Sequence, residues 1–285
     1  MAHTQSNLWR FLKRSVLVAA AACVAIALAG ALRARADTRR HAVILRLKPD
    51  SGPVSPAMQE QAAAVLRKRA AALARRFGLM QARVQPEGAD ALRLTFLARH
   101  DPAEALAWLA LRGQGDFCLL QPEQGVMDVL EQGDPEPPAA GDVPPEGYVV
   151  RTYYEQLYRL DRPGETSTRR HRYMVRAQPL VRVPEFARVR LDTEGLHKKT
   201  VVTFELPKEQ AAELRQATTL NGGREMILLI DGNAFFPPRQ IGSAIAGGRV
   251  QIQGYLYNPP LRALAAVLCA GSLPAPLEIE SDRQE

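Results

Sequence analysis

Between His41 and Gln121 the apolar residues change their spacing repeatedly, and this limits the fold more than any other feature of the chain. "HAVILRLK" (His41 to Lys48) reads as a strand, whereas Ser55 to Phe77 carries the spacing of a helix. Ser55 is placed as its N-cap, Pro56 lies just inside it, and Gly78 stands just past its end. Apolar residues at Val65, Leu66, Leu73 and Phe77 leave Arg67, Lys68, Arg75 and Arg76 mostly on other faces, which reads as a solvated basic surface. Two strand-like runs follow, "MQARVQPE" and "ALRLTFLA", separated by the turn residues Gly88 and Asp90. Asp101 then caps a second helix, "DPAEALAWLALR", with Pro102 at its first position; Gly113 breaks it and "DFCLLQ" supplies another strand. The order strand, helix, strand, strand, helix, strand is the ferredoxin-like split pattern, one four-stranded sheet covered by two helices on one face.

From Pro122 to Gly147 the chain changes character. The segment holds six prolines and many acidic residues, so it reads as a boundary or an exposed loop. Beyond it, "YVVRTYYEQLYRL" and "RRHRYMVRA" form an expected hairpin arm around "DRPGETST". Arg151 to Arg190 contains ten arginines against four acidic residues, which reads as a solvated strand face or one near anionic headgroups; no nucleic-acid partner is expected. The last part repeats the mixed pattern. "FARVRLD" and "KTVVTFEL" make a hairpin around "TEGLHK", and Pro207 opens the helix "PKEQAAELRQATTL", ended by Asn221 and Gly222. "EMILLI" is a buried strand, Asp231-Gly232 is a turn, "GRVQIQGYL" alternates as a strand, and "NPPLRALAAVLCAG" is a helix capped by Asn258 and ended by Gly271. The expected class is α+β, in two subdomains.

Ser15 to Leu32, "SVLVAAAACVAIALAGAL", has no charged residue and is long enough to approach the thickness of a bilayer core. It reads as an uncleaved anchor or as a secretory signal with Arg10, Lys13 and Arg14 before it and Ala34-Arg35-Ala36 as a cleavage site. Either reading places the remainder outside the cytoplasm. The formal charge of +7 selects no partner by itself. Cys118 and Cys269 both have apolar neighbours and read as small buried side chains, with a disulfide between them open in an oxidising compartment.

A search for chemistry finds no phosphate-binding loop, no Gly-x-Ser-x-Gly, no Cys-x-x-Cys and no His-Glu-x-x-His. His100, His171 and His197 read as surface residues without a second ligand at metal spacing, and Glu209 and Glu213 as an i, i+4 pair on a solvated helix face. Asp231 follows a buried strand, but Asp-Gly before another strand is read as a turn. No catalytic residue, cofactor or metal is expected, and the chain is not expected to be an enzyme.

Three stretches in the C-terminal part, "GGREMILLIDGNAFFPPRQI", "GGRVQIQG" and "LRALAAVLCAGSLPAPLEI", together resemble the SecD family of protein-export membrane proteins. The resemblance is carried by Asp231 and Gly232 with Pro238 and Ile241 following, by Gly247, Gly248 and Gly254, and most of all by Gly271, Leu273, Pro274, Ala275, Pro276 and Leu277. Upstream, "AVLRKRAAALARRFGLMQARVQPEGADALRLTFLARHDPAEALAWLALRGQGDFCLL" is similar to the family's first extracytoplasmic region. The likeness runs from Val43 to Ile279.

The resemblance implies a short cytoplasmic N-terminus at residues 1–14, an anchor or signal at 15–32, a ferredoxin-like base at 41–121, a proline-rich linker at 122–146, a head at 147–272, and a C-terminal strand returning to the base within 273–285. In the family the Leu-Pro-Ala-Pro-Leu segment leads into a membrane bundle that uses the proton gradient. No proton-conducting residue of that bundle can be carried onto this chain, and "TRRHAVILRLK" lacks the glycine-rich motif that usually follows the family's first membrane helix. The resemblance implies a single-pass inner-membrane protein whose main domain lies in the periplasm or outside the cell. It also implies preprotein or other polypeptide, and the Sec export machinery, as partners. Two functions follow as expectations: a polypeptide-binding module that assists export without its own motor, or a solitary domain with a structural or scaffolding role in the envelope.

Overall fold

The computed structural model of the chain describes residues 38–122, 126–131, 144–158, 166–194, 199–254 and 259–284. The apolar stretch 15–32, Asn258, His197 and much of the proline-rich linker lie outside the described residues. Among the described residues no helix is long and apolar enough to cross a membrane.

β1 (Arg39–Leu47), α1 (Pro56–Phe77), β2 (Met80–Glu87), β3 (Ala91–Ala98) and α2 (Ala103–Ala110) follow one another in the first part of the chain. The Ser55 hydroxyl accepts the Met58 N–H at 3.1 Å, Pro56 occupies the first turn, and Gly78 ends α1 in the left-handed region at φ 65°. Pro102, and not Asp101, is the N-cap of α2, which begins at Ala103; the Asp101 carboxylate accepts the Ala103 N–H at 2.9 Å from one residue before the cap. Arg67, Lys68, Arg75 and Arg76 are exposed, as their spacing requires.

The next elements are β4 (Gly115–Leu119), β5 (Val126–Glu131), β6 (Tyr148–Tyr158), β7 (Thr166–Arg176), β8 (Val181–Val183), β9 (Arg188–Glu194), β10 (Lys199–Glu205) and α3 (Lys208–Leu220). β11 (Glu225–Ile230), β12 (Asn233–Ala234), β13 (Arg239–Gln240), β14 (Arg249–Gly254), α4 (Pro259–Cys269) and β15 (Leu277–Gln284) complete the chain.

Four sheets result, and the architecture is mixed α+β with strands dominant. The first has the order β15-β1-β3-β2, all neighbours antiparallel. "DFCLL" is therefore not its fourth strand. β4 instead pairs with β11 and β8, so that Phe117 and Leu119 enter a second sheet of order β12-β11-β4-β8. A fully apolar run is satisfied in the middle of any sheet, so its burial could not say which one. The place beside β1 is taken by β15, with Leu47 opposite Leu277 and Leu45 opposite Ile279.

β9 and β10 form the expected hairpin, with β14 on the other side of β10, in a three-stranded sheet. β6 and β7 pair over eleven positions, from Tyr148 opposite Arg176 to Tyr158 opposite Thr166. β5 adds to β7, so part of the stretch read as a loop after Pro122 is a strand: "VMDVLE" between the prolines alternates enough to pair once a neighbouring edge is supplied.

One apolar cluster joins the first sheet to the later sheets. Val43, Leu45, Leu92 and Leu94 belong to the same cluster as Leu66 and Leu73 of α1, Phe117 of β4, Val202 and Phe204 of β10, and Leu264 and Val267 of α4. Phe204 is fully buried, with ring centroids 5.1 Å from Phe186 and 6.0 Å from Phe236. A smaller cluster of Tyr153, Tyr173, Val175, Cys118, Leu120, Ile227 and Leu229 seats the β5-β6-β7 arm on the back of β4 and β11. Phe204→Ala should lower the unfolding free energy by about 3–5 kcal/mol in a urea titration. A loss below about 1 kcal/mol would mean the ring is not the centre of the shared core.

Candidate functional site

The residues singled out in the sequence fall in two neighbourhoods. The first is a knot where α1, α2, α4 and the β11–β12 turn meet. Arg69, on the buried face of α1 between Leu66 and Leu73, is completely buried. Its guanidinium donates to the carbonyls of Leu109 at 2.9 Å, Leu111, Arg112 at 3.2 Å and Gly271 at 2.7 Å. Leu109 and Leu111 sit at the C-terminal end of α2 and Gly271 just past that of α4, where the partial negative charge of each helix gathers. A cation aimed at two helix C-termini also supplies donors to carbonyls that have no intrahelical partner.

Asp231 lies on the far side of the same loop. Its carboxylate accepts the Gly113 N–H at 2.9 and 3.0 Å and the Gln114 N–H at 2.9 Å, and its own N–H donates to the Gln114 carbonyl at 2.9 Å. Burial pushes the Arg69 guanidinium down to about 10, while the Asp231 charge pulls it up. Asp231 and Gly232 both have positive φ, 49° and 75°, and join β11 to β12 as a two-residue turn. The turn reading was right, but the same aspartate also holds the α2–β4 loop by its side chain.

Gly113 is required here twice over. Its φ is 88°, and a Cβ would lie 3.2 Å from an Arg69 nitrogen and 3.3 Å from Leu268. Ser272 Oγ donates to the Gly113 carbonyl at 3.0 Å, and the Leu273 N–H to the Arg112 carbonyl at 2.8 Å. The remaining residues of the Leu-Pro-Ala-Pro-Leu run continue outward from the knot. Leu273 and Ala275 are buried, Pro274 is half-buried, the Pro276 carbonyl accepts the Lys48 N–H at 2.9 Å, and Leu277 begins β15. Arg69 is not among the residues singled out from the sequence. Its position three after Leu66 and four before Leu73 was the available signal.

The second neighbourhood is an apolar cleft between β11 with its β13 edge and β14. Phe117, Leu228, Phe236 and Ile241 form its buried floor, and Met226, Ile245, Val250 and Ile252 its half-buried walls. It has about 350 Å³ of free space, within the size that accepts one or a few side chains of a ligand. β14 is the edge of its sheet, and among the described residues Arg249–Ile252 make no backbone bond outside the β10 ladder. Gly247 and Gly248 set the turn that starts β14, at φ 75° and 65°; a Cβ on Gly248 would lie 2.4 Å from that of Ala211 on α3. Pro238 sits in the half-buried stretch before β13, and Gly254 ends β14 opposite Thr200.

Among the described residues no group of His, Cys, Asp or Glu is arranged to hold a metal ion. His100 is exposed, whereas His171 is half-buried between Tyr153 and Tyr173, and His41 is buried and stacked on Phe96 at 5.2 Å. Glu209 and Glu213 are exposed on α3. Cys118 and Cys269 are both free: Cys118 is buried, but Cys269 lies at the surface, since the last turn of α4 rotates it away from the core that holds Leu264, Val267 and Leu268. Burial, aided by Asp116, pushes the Cys118 thiol up to about 12. It should therefore resist alkylation at neutral pH until the chain is unfolded by urea, as read by mass spectrometry; modification of the native protein would show that β4 opens.

Arg69→Met should cost about 3–5 kcal/mol of stability, because it removes the buried donor shared by four carbonyls at the ends of α2 and α4. Asp231→Asn keeps one acceptor and should cost roughly 1 kcal/mol. Urea unfolding of the two variants tests the ranking, and equal losses would mean the two residues do not share one knot.

Comparison with known proteins adds the lineage. The family model for the P1 head subdomain of SecDF matches residues 155–275, the stretch that contains β7 to β14, the cleft, and Asp231. The protein translocase subunit SecD of Syntrophobacter fumaroxidans is 24% identical over 207 residues, covering 73% of this chain and 36% of that protein. The SecD of Calditerrivibrio nitroreducens is 23% identical over 224 residues, covering 79% of this chain and 40% of that protein. The chain thus spans well under half the length of these relatives. Two solved structures share the fold at 20% identity. SecDF in its super-membrane-facing form has a TM-score of 0.54, covering 86% of this chain and 30% of that one. SecDF, a membrane component that enhances protein export, gives 0.53 for a structure covering 85% of this chain and 99% of that one. Residues 155–275 thus match the SecDF P1 head subdomain, most of the chain is similar to SecD, and it shares the fold of the two SecDF structures.

Proposed function

We propose that the chain is an extracytoplasmic, membrane-tethered module that binds extended polypeptide beside the Sec export machinery. The observation that carries this reading is the apolar cleft next to the open β14 edge. A folded protein presents few free backbone groups and hides its apolar side chains, whereas an unfolded chain offers both, so an edge strand beside an apolar cleft discriminates between the two. Val250 and Ile252 on β14 and Met226, Leu228 and Phe236 across from them can receive alternate side chains of a strand that extends the β14 sheet.

On this reading the β15-β1-β3-β2 sheet with α1 and α2 is a ferredoxin-like base, with β4 of the expected 41–121 range given over to the neighbouring sheet, and residues 147–272 are the head. The uncharged stretch 15–32 tethers the module to the inner membrane with the base and head in the periplasm. A structural or scaffolding role is the second reading, favoured by a different observation. The first sheet and the head share one core and are tied by the Arg69 knot, which suits a rigid support. That reading predicts no affinity for unfolded chains.

A photo-crosslinking amino acid at exposed Ser243, on the cleft rim, tests the two readings. It should capture a reduced and alkylated, permanently unfolded protein and spare the same protein when native. Val250→Asp should lower that capture about tenfold or more, as expected for a charge placed in an apolar contact, with circular dichroism confirming the fold. Equal capture of native and unfolded chains, or none, would favour the scaffold.

A further inference from the structure

The rim of the cleft carries charge of one sign. Arg239 at the β13 edge and Arg249 at the start of β14 are both exposed and both line the opening, together with the neutral Gln240, Ser243 and Gln251. Among the described residues no Asp or Glu lines it. The acidic residues nearest in register are Glu225, opposite Gln240, and Glu205, opposite Arg249. Glu205 is already engaged by Arg190 at 3.6 Å, and Glu225 stands opposite a glutamine, one register position away from Arg239. The two guanidiniums stand on the two walls, so an extended segment running along β14 passes between them while its apolar residues enter the floor at Phe117, Leu228 and Phe236.

From this we infer that the cleft selects extended apolar segments flanked by acidic residues over the same segments flanked by basic ones. The inference rests on the polypeptide-binding reading above and adds the charge of the segment. Arginine on an open rim acts through long-range attraction and through forked hydrogen bonds to carboxylate, and it repels lysine or arginine on the incoming chain. Solvent exposure keeps each contribution modest, so the selectivity is a bias on affinity and association rate, weakened by salt.

Two fluorescent peptides sharing one alternating Ile/Val core, one flanked by glutamates and the other by lysines, are titrated against the full chain. The glutamate peptide should bind roughly fivefold or more tightly. The difference should shrink on adding salt and vanish in the Arg239→Gln, Arg249→Gln double variant, whose surface substitutions leave the core untouched. Equal binding of the two peptides, a preference for the lysine peptide, or a preference unchanged in the double variant overturns the inference while leaving polypeptide binding in place. Failure of both peptides to bind, with no crosslink from Ser243, overturns both.

Discussion

A buried guanidinium organises this molecule. Placing Arg69 out of water carries a desolvation cost of several kcal/mol, which the fold offsets by aiming two helix C-termini and four carbonyls at it, with the Asp231 charge beyond the loop. Those partners come from α2, from Gly271 just past α4 and from the loop before β4, segments far apart in the chain. The arginine can be satisfied only when all of them are in place. It therefore specifies how the helical layer meets the turn between β11 and β12, a task that apolar contacts, being non-directional, perform less selectively.

The knot and the cleft are linked through one strand pair. Asp231 ends β11 at the knot, while Met226 and Leu228 of the same strand line the cleft. β4, paired with β11, starts two residues after Gly113 and contributes Phe117 to the cleft floor. Securing one end of this pair fixes the apolar floor against which β14 stands. The cleft persists because β11 and β14 belong to different sheets, each satisfied on its own side, so no ladder closes the space between them.

Much of the local structure was legible in the sequence. The caps of α1, the turn at Asp231-Gly232, and the β6–β7 and β9–β10 hairpins all depend on contacts within a few residues, and their signatures are residue types with fixed conformational preferences. Pairing between distant segments was harder to read. "DFCLL" could complete either of two sheets with equal burial, and "VMDVLE", set among prolines, became a strand only because β7 offered it an edge. Cys269 shows the same limit at one residue: its apolar neighbours are buried, but the end of a helix turns it to the surface.

The sequence by itself determined most of the helices and hairpins and the mixed class, together with the motifs that resemble the SecD family, because backbone preference and apolar spacing act over a few residues. Only the tertiary structure decided which strand lies beside β1, that Arg69 is interior, that Asp231 clasps Gly113, and that Arg239 and Arg249 face one cleft. These outcomes depend on which distant segments meet, and the balance of desolvation, helix dipoles and edge pairing that settles them does not exist until the chain has closed on itself.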